Sequence, residues 1–430
     1  MTMPVVGFAG LTHLGLVSAI GTASKGFRVV GYDADRRRVA DIGAGRLPVV
    51  EPDLDQMAQT NAERLSYTDR SGDLGACDIV YIASDVPTDD HGKSDLSGIS
   101  ALIGEVIPAL SAKAILCILC QVPPGFTRSL PFDPARLYYQ VETLVFGRAV
   151  ERATQPERFI VGGADPARPL PHSYAALLGA FGCPILPMRY ESAELAKIAI
   201  NCCLVASVSV ANTLADLSER IGADWHEVAP ALRLDRRIGA HSYLAPGLGI
   251  AGGNLERDLA TVLRLSAATG SEASVISAFL ANSRSRRDWV LRLIHREVLS
   301  RTADPTFAVL GLAYKENTHS TKNSPSLALI ENLKPWAIRA YDPVVPATAA
   351  PHPSVTGATS AIDAAQGSDA VLIMTPWQQF RGIRPADLAA VMAGKVIVDP
   401  FRILEPELVR AAGLSYFTLG APGADSMGRS

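Results

Sequence analysis

The chain has 430 residues, of which 48% are hydrophobic and 19% charged, and its formal net charge is -3. This length suggests three domains, or two large ones with a connecting element. The small net charge gives no reason to expect nucleic acid or a membrane surface as a partner. The N-terminus has no charged region or cleavage site of a signal peptide, and no unbroken apolar run reaches the roughly 18 residues of a membrane span. We expect a cytoplasmic protein.

Short apolar strands alternate with helical stretches in the first part of the chain. A parallel, doubly wound sheet is the structure that this alternation predicts. A helix is predicted from Leu14 to Lys25. The predicted strands are Val5 to Phe8, Arg28 to Tyr32, Ile79 to Ala83, Ile115 to Leu119 and Arg158 to Val161.

A long helical pattern from Ser192 to Ile221 separates this part from a second α/β unit. Such a helix spans about 45 Å and could join two domains, although a core helix would have a similar composition. The predicted fold class is α/β, with two Rossmann-like doubly wound domains joined by a long central helix. The predicted domains are 1–190, 191–300 and 301–430, with a disordered tail after Pro422. Strands of the second unit are predicted at Phe307 to Leu310, up to Tyr341, at Ala370 to Met374 and at Val396 to Val398.

The turn from Gly10 to Gly15 joins the first strand to the first helix, and Asp33 ends the second strand. Glycines let a backbone approach a pyrophosphate, the helix N-terminus supplies amides, and the acid accepts from ribose hydroxyls. Thr12 stands at the middle glycine position of this dinucleotide fingerprint and weakens the match. Asp33 favours NAD over NADP, whereas the cluster Arg36 to Arg38 could accept a 2'-phosphate or simply begin a solvated helix.

Two further groups of residues suggest chemistry. Lys197 and Asn201 are four residues apart on the long helix, so an ammonium and an amide project from one side and could hold a developing oxyanion. The alternative is a surface Glu194–Lys197 pair with Asn201 facing water. The glycine-rich loop from Gly249 to Asp258 could wrap a ligand, with Asp258 as a general base acting through a water, or be an ordinary flexible turn.

Several ordered stretches resemble the UDP-glucose 6-dehydrogenases and their relatives acting on UDP-N-acetylhexosamines and GDP-mannose, over about residues 4 to 420. The loop 246–258, PGLGIAGGNLERD, is similar to the family's active-site loop G-F-G-G-S-C-F-P-K-D. Lys197 and Asn201 match A-E-L-x-K-x-x-x-N. The segment 310–318, LGLAYKENT, resembles G-L-A-F-K-x-x-T, and Arg402 follows a Val-Asp-Pro segment typical of the family.

The resemblance implies the ligands and the residues that bind them. NAD is the implied cofactor, a nucleotide sugar is the substrate, and a homodimer is implied, with Arg237 reaching the substrate of the neighbouring subunit. No metal is expected, because the six cysteines and the histidines show no ligand spacing. The implied catalytic residues are Lys197, Asn201, Asp258, Asn254 and Glu142. The implied cofactor-binding residues are Gly10, Thr12, Leu14, Gly15, Asp33, Arg38, Pro87, Gln121 and Lys322. The implied substrate-binding residues are Glu142, Leu144, Lys197, Arg237, Tyr243, Gly249, Gly252, Tyr314, Lys315 and Arg402.

The departures from the family pattern concentrate on catalytic positions. Asn254 stands where the family has its nucleophilic cysteine, and an amide cannot form the thiohemiacetal and thioester of the family reaction. Gln121 replaces a threonine that positions water, and Phe146 replaces the second acid of an E-x-x-x-E pair. Cys120 could be a relocated thiol, but it stands at a cofactor-turn serine position.

Three hypotheses about function remain. The leading one is an NAD-dependent dehydrogenase of a UDP-hexose or its N-acetylated analogue, oxidising a sugar hydroxyl at C6, which either stops at a two-electron product or proceeds slowly to the uronate. The second is a catalytically impaired sugar-nucleotide binding or regulatory protein. The third is a 3-hydroxyacid dehydrogenase, which would leave Lys315 and Arg402 of the second α/β unit without a ligand.

Overall fold

The structure is a computed structural model that describes residues 3–89 and 92–422. The chain divides into two compact units, Met1–Ile200 and Asn201–Ser430. The boundary falls inside one continuous helix, so the three predicted domains stay a prediction. The predicted tail after Pro422 lies outside the described residues.

The first unit is built on an eight-stranded sheet with the order β3-β2-β1-β4-β5-β6-β7-β8. All neighbouring strands are parallel except β6 and β7, which pair antiparallel. The strands are β1 Val5–Ala9, β2 Arg28–Tyr32, β3 Leu65–Thr68, β4 Ile79–Ile82, β5 Ile115–Ile118, β6 Leu137–Gln140, β7 Phe159–Gly163 and β8 Ile185–Arg189. The helices are α1 His13–Ser24, α2 Arg36–Gly43, α3 Leu54–Thr60, α4 Ser97–Val106, α5 Ala149–Thr154 and α6 His172–Gly179.

The second unit contains a six-stranded, wholly parallel sheet with the order β11-β10-β9-β12-β13-β14. Its strands are β9 Thr306–Leu310, β10 Ala337–Tyr341, β11 Val355–Gly357, β12 Ala370–Ile373, β13 Val396–Val398 and β14 Ser415–Phe417. The remaining helices are α7 Tyr190–Ile221, α8 Trp225–Leu234, α9 Asn254–Thr269, α10 Ser274–Arg287, α11 Trp289–Ile294, α12 Pro325–Asn332, α13 Ala361–Ala365, α14 Pro385–Val391 and α15 Pro406–Ala411.

The central strands are short apolar runs that are buried on both faces, as parallel sheets covered by helices require. The sequences IVYI of β4, ILCI of β5 and AVLI of β12 are buried at every position. Both sheets share the strand order of a doubly wound dinucleotide-binding fold, with the reversal beside the first strand. The predicted fold class is therefore confirmed, including the long helix α7.

Helix α7 is long and apolar enough, by length and composition, for a membrane span. The sequence has no unbroken apolar run of that length, since Asn201, Ser207 and Asn212 interrupt it. The mean hydropathy of an 18-residue window of α7 is nevertheless high enough for a membrane span, and 39% of that window is buried within the structure. A long helix of a protein core meets the same criterion.

Candidate active site

The turn between β1 and α1 requires glycine at two positions. Gly10 has a φ of +94°, and a Cβ there would lie 2.9 Å from Cβ of Ser84. A Cβ on Gly15 would lie 1.8 Å from the carbonyl oxygen of Gly10. The first turn of α1 therefore packs directly on the strand-to-helix turn. This is the backbone arrangement that leaves helix amides exposed to a phosphate.

Thr12 immediately precedes α1 and makes a contact that a glycine could not make. Its Oγ1 accepts a hydrogen bond of 2.9 Å from the backbone N–H of Asp85, in the loop after β4. The hydroxyl hydrogen can still be donated to another acceptor, since a hydroxyl both accepts and donates. The side chain of Leu14 is buried in the core, so only its backbone could face a cofactor.

Asp33 follows β2, and both of its carboxylate oxygens accept hydrogen bonds. Oδ2 accepts from the N–H of Leu11 at 2.8 Å and Oδ1 from the N–H of Asp35 at 2.9 Å. Nη1 of Arg38 lies 2.8 Å from Oδ2. The structure thus brings the predicted acid and Arg38 together next to the glycine turn. A carboxylate at this position can accept hydrogen bonds from ribose hydroxyls. The guanidinium of Arg38 lies beside this carboxylate, where it could also contact a phosphate on the ribose.

The loops after β4 and β5 lie at the same end of the first sheet as the glycine turn. Pro87 lies exposed in the loop after β4, where its carbonyl accepts from the N–H of Asp95 at 2.9 Å. Gln121 is partly buried in the loop after β5, next to Cys120. Burial raises the pKa of the Cys120 thiol to about 12, although a backbone hydrogen bond opposes the shift. A thiol of this kind carries almost no thiolate at neutral pH.

Glu142 and Lys197 form an ion pair within the first unit. Oε2 of Glu142 lies 3.1 Å from Nζ of Lys197, and both side chains are largely buried. Glu142 also accepts from the backbone N–H of Leu144, which fixes the carboxylate on its own loop. The alternative of a surface Glu194–Lys197 pair is wrong. Glu194 is fully buried and accepts from the N–H groups of Gly125 and Thr127.

Asn201 and Asp258 meet within the second unit. Nδ2 of Asn201 donates to Oδ2 of Asp258 at 2.5 Å, and the two residues are 9% and 1% exposed. Nε of Arg257 lies 3.3 Å from Oδ1 of the same carboxylate. Asn201 therefore does not face water as the alternative interpretation had it. A carboxyl group so well buried needs these partners, because an unsatisfied buried polar group is costly.

The glycine-rich loop before α9 is anchored at several points. Gly249 has a φ of +84°, and a Cβ there would lie 2.5 Å from the carbonyl oxygen of Ser283. A Cβ on Gly252 would lie 3.0 Å from the ring of Tyr314, and its N–H donates to the carbonyl of Lys322 at 3.0 Å. These contacts fix where the loop runs beside Ser283 and Tyr314. Asn254 is exposed and is the first residue of α9.

The remaining predicted substrate residues lie at three places. Nζ of Lys315 lies 5.7 Å from the ring centroid of Tyr314, so these two lie together beside the loop of Gly252. Arg237 is bound to Asp235 at 2.6 Å with its side chain 90% exposed, and Tyr243 is also exposed. Arg402 lies in the turn after β13 and pairs with Asp224 at 2.9 Å.

Three domain models of one protein family match the chain in order. The NAD binding domain of the UDP-glucose/GDP-mannose dehydrogenase family matches residues 4–175, its central domain 191–284 and its UDP binding domain 308–406. The chain belongs to this family. Membership of the UDP-glucose/GDP-mannose dehydrogenase family confirms the predicted oxidoreductase class and the NAD cofactor. It also shows that the hydroxyacid dehydrogenase alternative is wrong.

Known members of the family resemble the chain over almost its whole length. The UDP-glucose 6-dehydrogenase TuaD of Bacillus subtilis is 29% identical, with 98% of this chain and 94% of that protein covered. A UDP-glucose 6-dehydrogenase of Pseudomonas aeruginosa is also 29% identical, covering 96% of this chain and 97% of the relative. The solved structure of a UDP-glucose dehydrogenase from Pyrobaculum islandicum has a TM-score of 0.85 at 27% identity, with 98% of each chain covered.

Among the residues that sequence reasoning missed are two acids of this dehydrogenase fold. Glu194 holds the loop after β5, and Asp224 holds Arg402. The first lies in the motif that identified Lys197, where its only predicted role was a surface ion pair. The second lies directly before Trp225 at the start of α8, where an aspartate reads as a helix cap. Neither contact could be found from spacing, because the partners are far apart in the chain.

Proposed function

We propose that this family member is an NAD-dependent dehydrogenase of a UDP-hexose or UDP-N-acetylhexosamine. It oxidises a sugar hydroxyl, at C6, without a cysteine thioester. The matched NAD and UDP binding domains support both ligands. The relatives named UDP-glucose 6-dehydrogenase support the hexose and the position. The loss of the thioester rests on the resemblance that puts Asn254 at the nucleophile position.

The first oxidation needs a hydride acceptor, a base for the hydroxyl proton and a clamp for the oxygen. NAD supplies the hydride acceptor when it is bound. Lys197, oriented by Glu142 at 3.1 Å, supplies a cationic donor for the oxygen. The amide of Asn201 is oriented by its bond to Asp258, and that carboxylate acts as the base through a water. The retained pairs Glu142–Lys197 and Asn201–Asp258 are the observation that most supports hydride removal.

The second oxidation is where this chain differs from the family pattern. An amide at position 254 cannot add to an aldehyde and leave as a thiolate does. Only an aldehyde hydrate could then lose a second hydride, with Asn254 and Asp258 orienting the water. The expected product is therefore the two-electron product, with the uronate formed slowly if at all.

The test is the amount of NADH formed per sugar, together with mass spectrometry of the product. The protein is incubated with NAD and a panel of UDP-, GDP- and dTDP-sugars. About one NADH per sugar and an aldehyde or ketone are expected. Two NADH and a uronate at full rate would contradict the arrested oxidation. No hydride transfer with any sugar would contradict the dehydrogenase itself.

The second candidate is a sugar-nucleotide binding or regulatory protein with impaired catalysis. Replacements at Asn254, Gln121, Thr12 and Phe146 motivate it. The ring centroid of Phe146, where the family has an acid, lies 4.2 Å from the ring centroid of His13 in the cofactor turn. UDP-sugar binding without any turnover would favour this candidate.

A cytoplasmic homodimer is part of the proposal. Helix α7 presents exposed apolar side chains at Val210, Leu214, Leu217 and Ile221, which recur at helical spacing. An exposed apolar stripe of this kind is typical of a protein interface. The side chain of Arg237 is 90% exposed. The resemblance gives this arginine the role of reaching the substrate of the partner subunit.

A further inference from the structure

The turn that bears Arg402 is fixed by a buried carboxylate. Asp399 accepts from the N–H of Phe401 at 3.3 Å and from the N–H of Leu404 at 2.9 Å. The hydroxyl of Tyr416 donates to it at 2.8 Å. These bonds hold Arg402 at a φ of 51°, a left-handed conformation that non-glycine residues adopt rarely. The backbone of Arg402 is therefore set before any ligand arrives.

The guanidinium of Arg402 is held from the other side by Asp224. Nη1 lies 3.2 Å from Oδ1 and 2.9 Å from Oδ2 of this carboxylate, from a residue 178 positions away in the chain. Burial opposes ionisation of Asp224, but the N–H of His226 and the Arg402 guanidinium outweigh it and lower the pKa of this carboxyl. Asp224 is thus ionised at neutral pH and holds the arginine by one nitrogen.

The other side of the guanidinium is open to an anion. The described residues, 3–89 and 92–422, provide no hydrogen-bond partner for Nε or Nη2 of Arg402, whose side chain is 30% exposed. An arginine presents its donors in a rigid planar fork, which suits a phosphate. When one nitrogen is already fixed, less conformational freedom is lost as the others bind.

We infer that Asp224 is a positioning residue for the sugar nucleotide, which holds Nη1 of Arg402 so that the free donors of this arginine meet the diphosphate. This inference rests on the proposed function, in which Arg402 contacts the nucleotide. It adds a residue outside the UDP binding segment 308–406 to the recognition of the nucleotide. Asp224 is not expected to touch the ligand itself.

Asp224 also caps helix α8, and the test must separate that role from positioning. Its Oδ1 accepts from the N–H of His226 at 2.8 Å, and asparagine and serine cap helices nearly as well as aspartate. The variants Asp224→Asn and Asp224→Ser therefore keep the cap and lose the charge. The Asp363–Arg339 pair in the second unit has similar exposure, 32% for Asp363 and 30% for Arg339, which makes Asp363→Asn a matched control.

Binding of UDP to the full chain is measured by calorimetric titration. Asp224→Asn and Asp224→Ser are expected to raise the Kd about tenfold, while Asp363→Asn leaves it unchanged. The loss is expected to vanish in an Arg402→Gln background, because the two residues act as one unit.

Wild-type affinity in Asp224→Asn and Asp224→Ser would overturn the inference alone. A tenfold loss that persists in the Arg402→Gln background would also overturn it, since the effect would then not pass through this arginine. Absence of UDP binding by the wild type would overturn the proposed function and the inference together. The melting temperature of each variant shows whether the effect on binding differs from an effect on folding.

Discussion

At the scale of single residues, the proposed hydride removal depends on two side-chain pairs, and the resemblance puts Asn254 at the position of the family's nucleophile. Glu142 with Lys197 and Asn201 with Asp258 form tight, largely buried pairs. Asn254 is exposed at the first turn of α9, where helix amides would lower the pKa of a thiol had one been present. The proposal therefore assigns hydride removal to the two pairs and no covalent step to residue 254.

Thr12 is expected to contribute to cofactor binding through its hydroxyl. Since Oγ1 accepts from Asp85, its hydrogen is available to a phosphate oxygen. Thr12→Val keeps the shape of the side chain and removes the hydrogen bonds to Asp85 and to the phosphate. We therefore expect the Kd for NAD to rise about tenfold, as for the loss of one to two hydrogen bonds. Thr12→Ser should bind like the wild type. Equal NAD affinity of the valine variant, measured by calorimetry, would disprove this role.

Cys120 is expected to be inert. Burial raises the pKa of its thiol to about 12, and the side chain is fully enclosed. At pH 8 the thiolate fraction is then on the order of one in ten thousand. Iodoacetamide should leave Cys120 unmodified in the folded protein and modify it only after unfolding in urea, as peptide mapping can show. Cys120→Ser should retain NADH production. Loss of turnover with an intact fold would instead support Cys120 as a relocated nucleophilic thiol.

At the scale of elements, the first turns of α7 hold the loop after β5 in place. Glu194 is buried and accepts from two backbone N–H groups of this loop, those of Gly125 and Thr127. The loop also contains Gln121, which the resemblance places near the cofactor. The helix that bears Lys197 thus also fixes a neighbouring loop of the same unit.

Glu194→Gln should lower the free energy of unfolding by about 1–3 kcal/mol, because a glutamine NH₂ group must face one of two backbone donors. Glu191→Gln is the matched control on the same helix. Glu191 pairs with Arg128 at the surface, and exposed pairs contribute about 0–1 kcal/mol. Urea unfolding of both variants measures the difference. Equal losses of unfolding free energy would show that the hydrogen bonds of Glu194 to the loop stabilise the protein no more than a surface ion pair does.

The elements that sequence reasoning predicted are those with a strong local pattern. β2 and β13 have the predicted bounds, since their apolar runs are flanked by polar residues or turns. β6 was missed although it lies inside the sheet and is buried at every position. β3, β8, β11 and β14 were missed because edge strands are short and partly exposed, so they lack an apolar run. Their place is set by pairing with a neighbour. The same limit applies to the Arg402–Asp224 contact, which only the tertiary fold brings together.

At the scale of the whole molecule, the exposed stripe on α7 is expected to form a dimer interface. Val210, Leu214, Leu217 and Ile221 lie on one side of the helix, and burying them would be favourable by roughly 25 cal/mol per Å². A second copy of the chain is the predicted partner.

Light scattering after size exclusion should give twice the 45.5 kDa mass of one chain. Leu217→Glu should shift the protein to the single-chain mass, because a buried unpaired charge is costly. Leu408→Glu, at an exposed leucine of α15, should remain dimeric. A single-chain mass for the wild type, or an unaltered mass for Leu217→Glu, would rule out this interface.

The central claim is that hydride leaves the sugar without any bond between the substrate and a protein sulfur. The most direct measurement is mass spectrometry of the intact protein, acid-quenched while it turns over NAD and UDP-glucose. We predict NADH formation with the protein mass unchanged at every time point. A transient sugar adduct that maps to a cysteine would contradict the account.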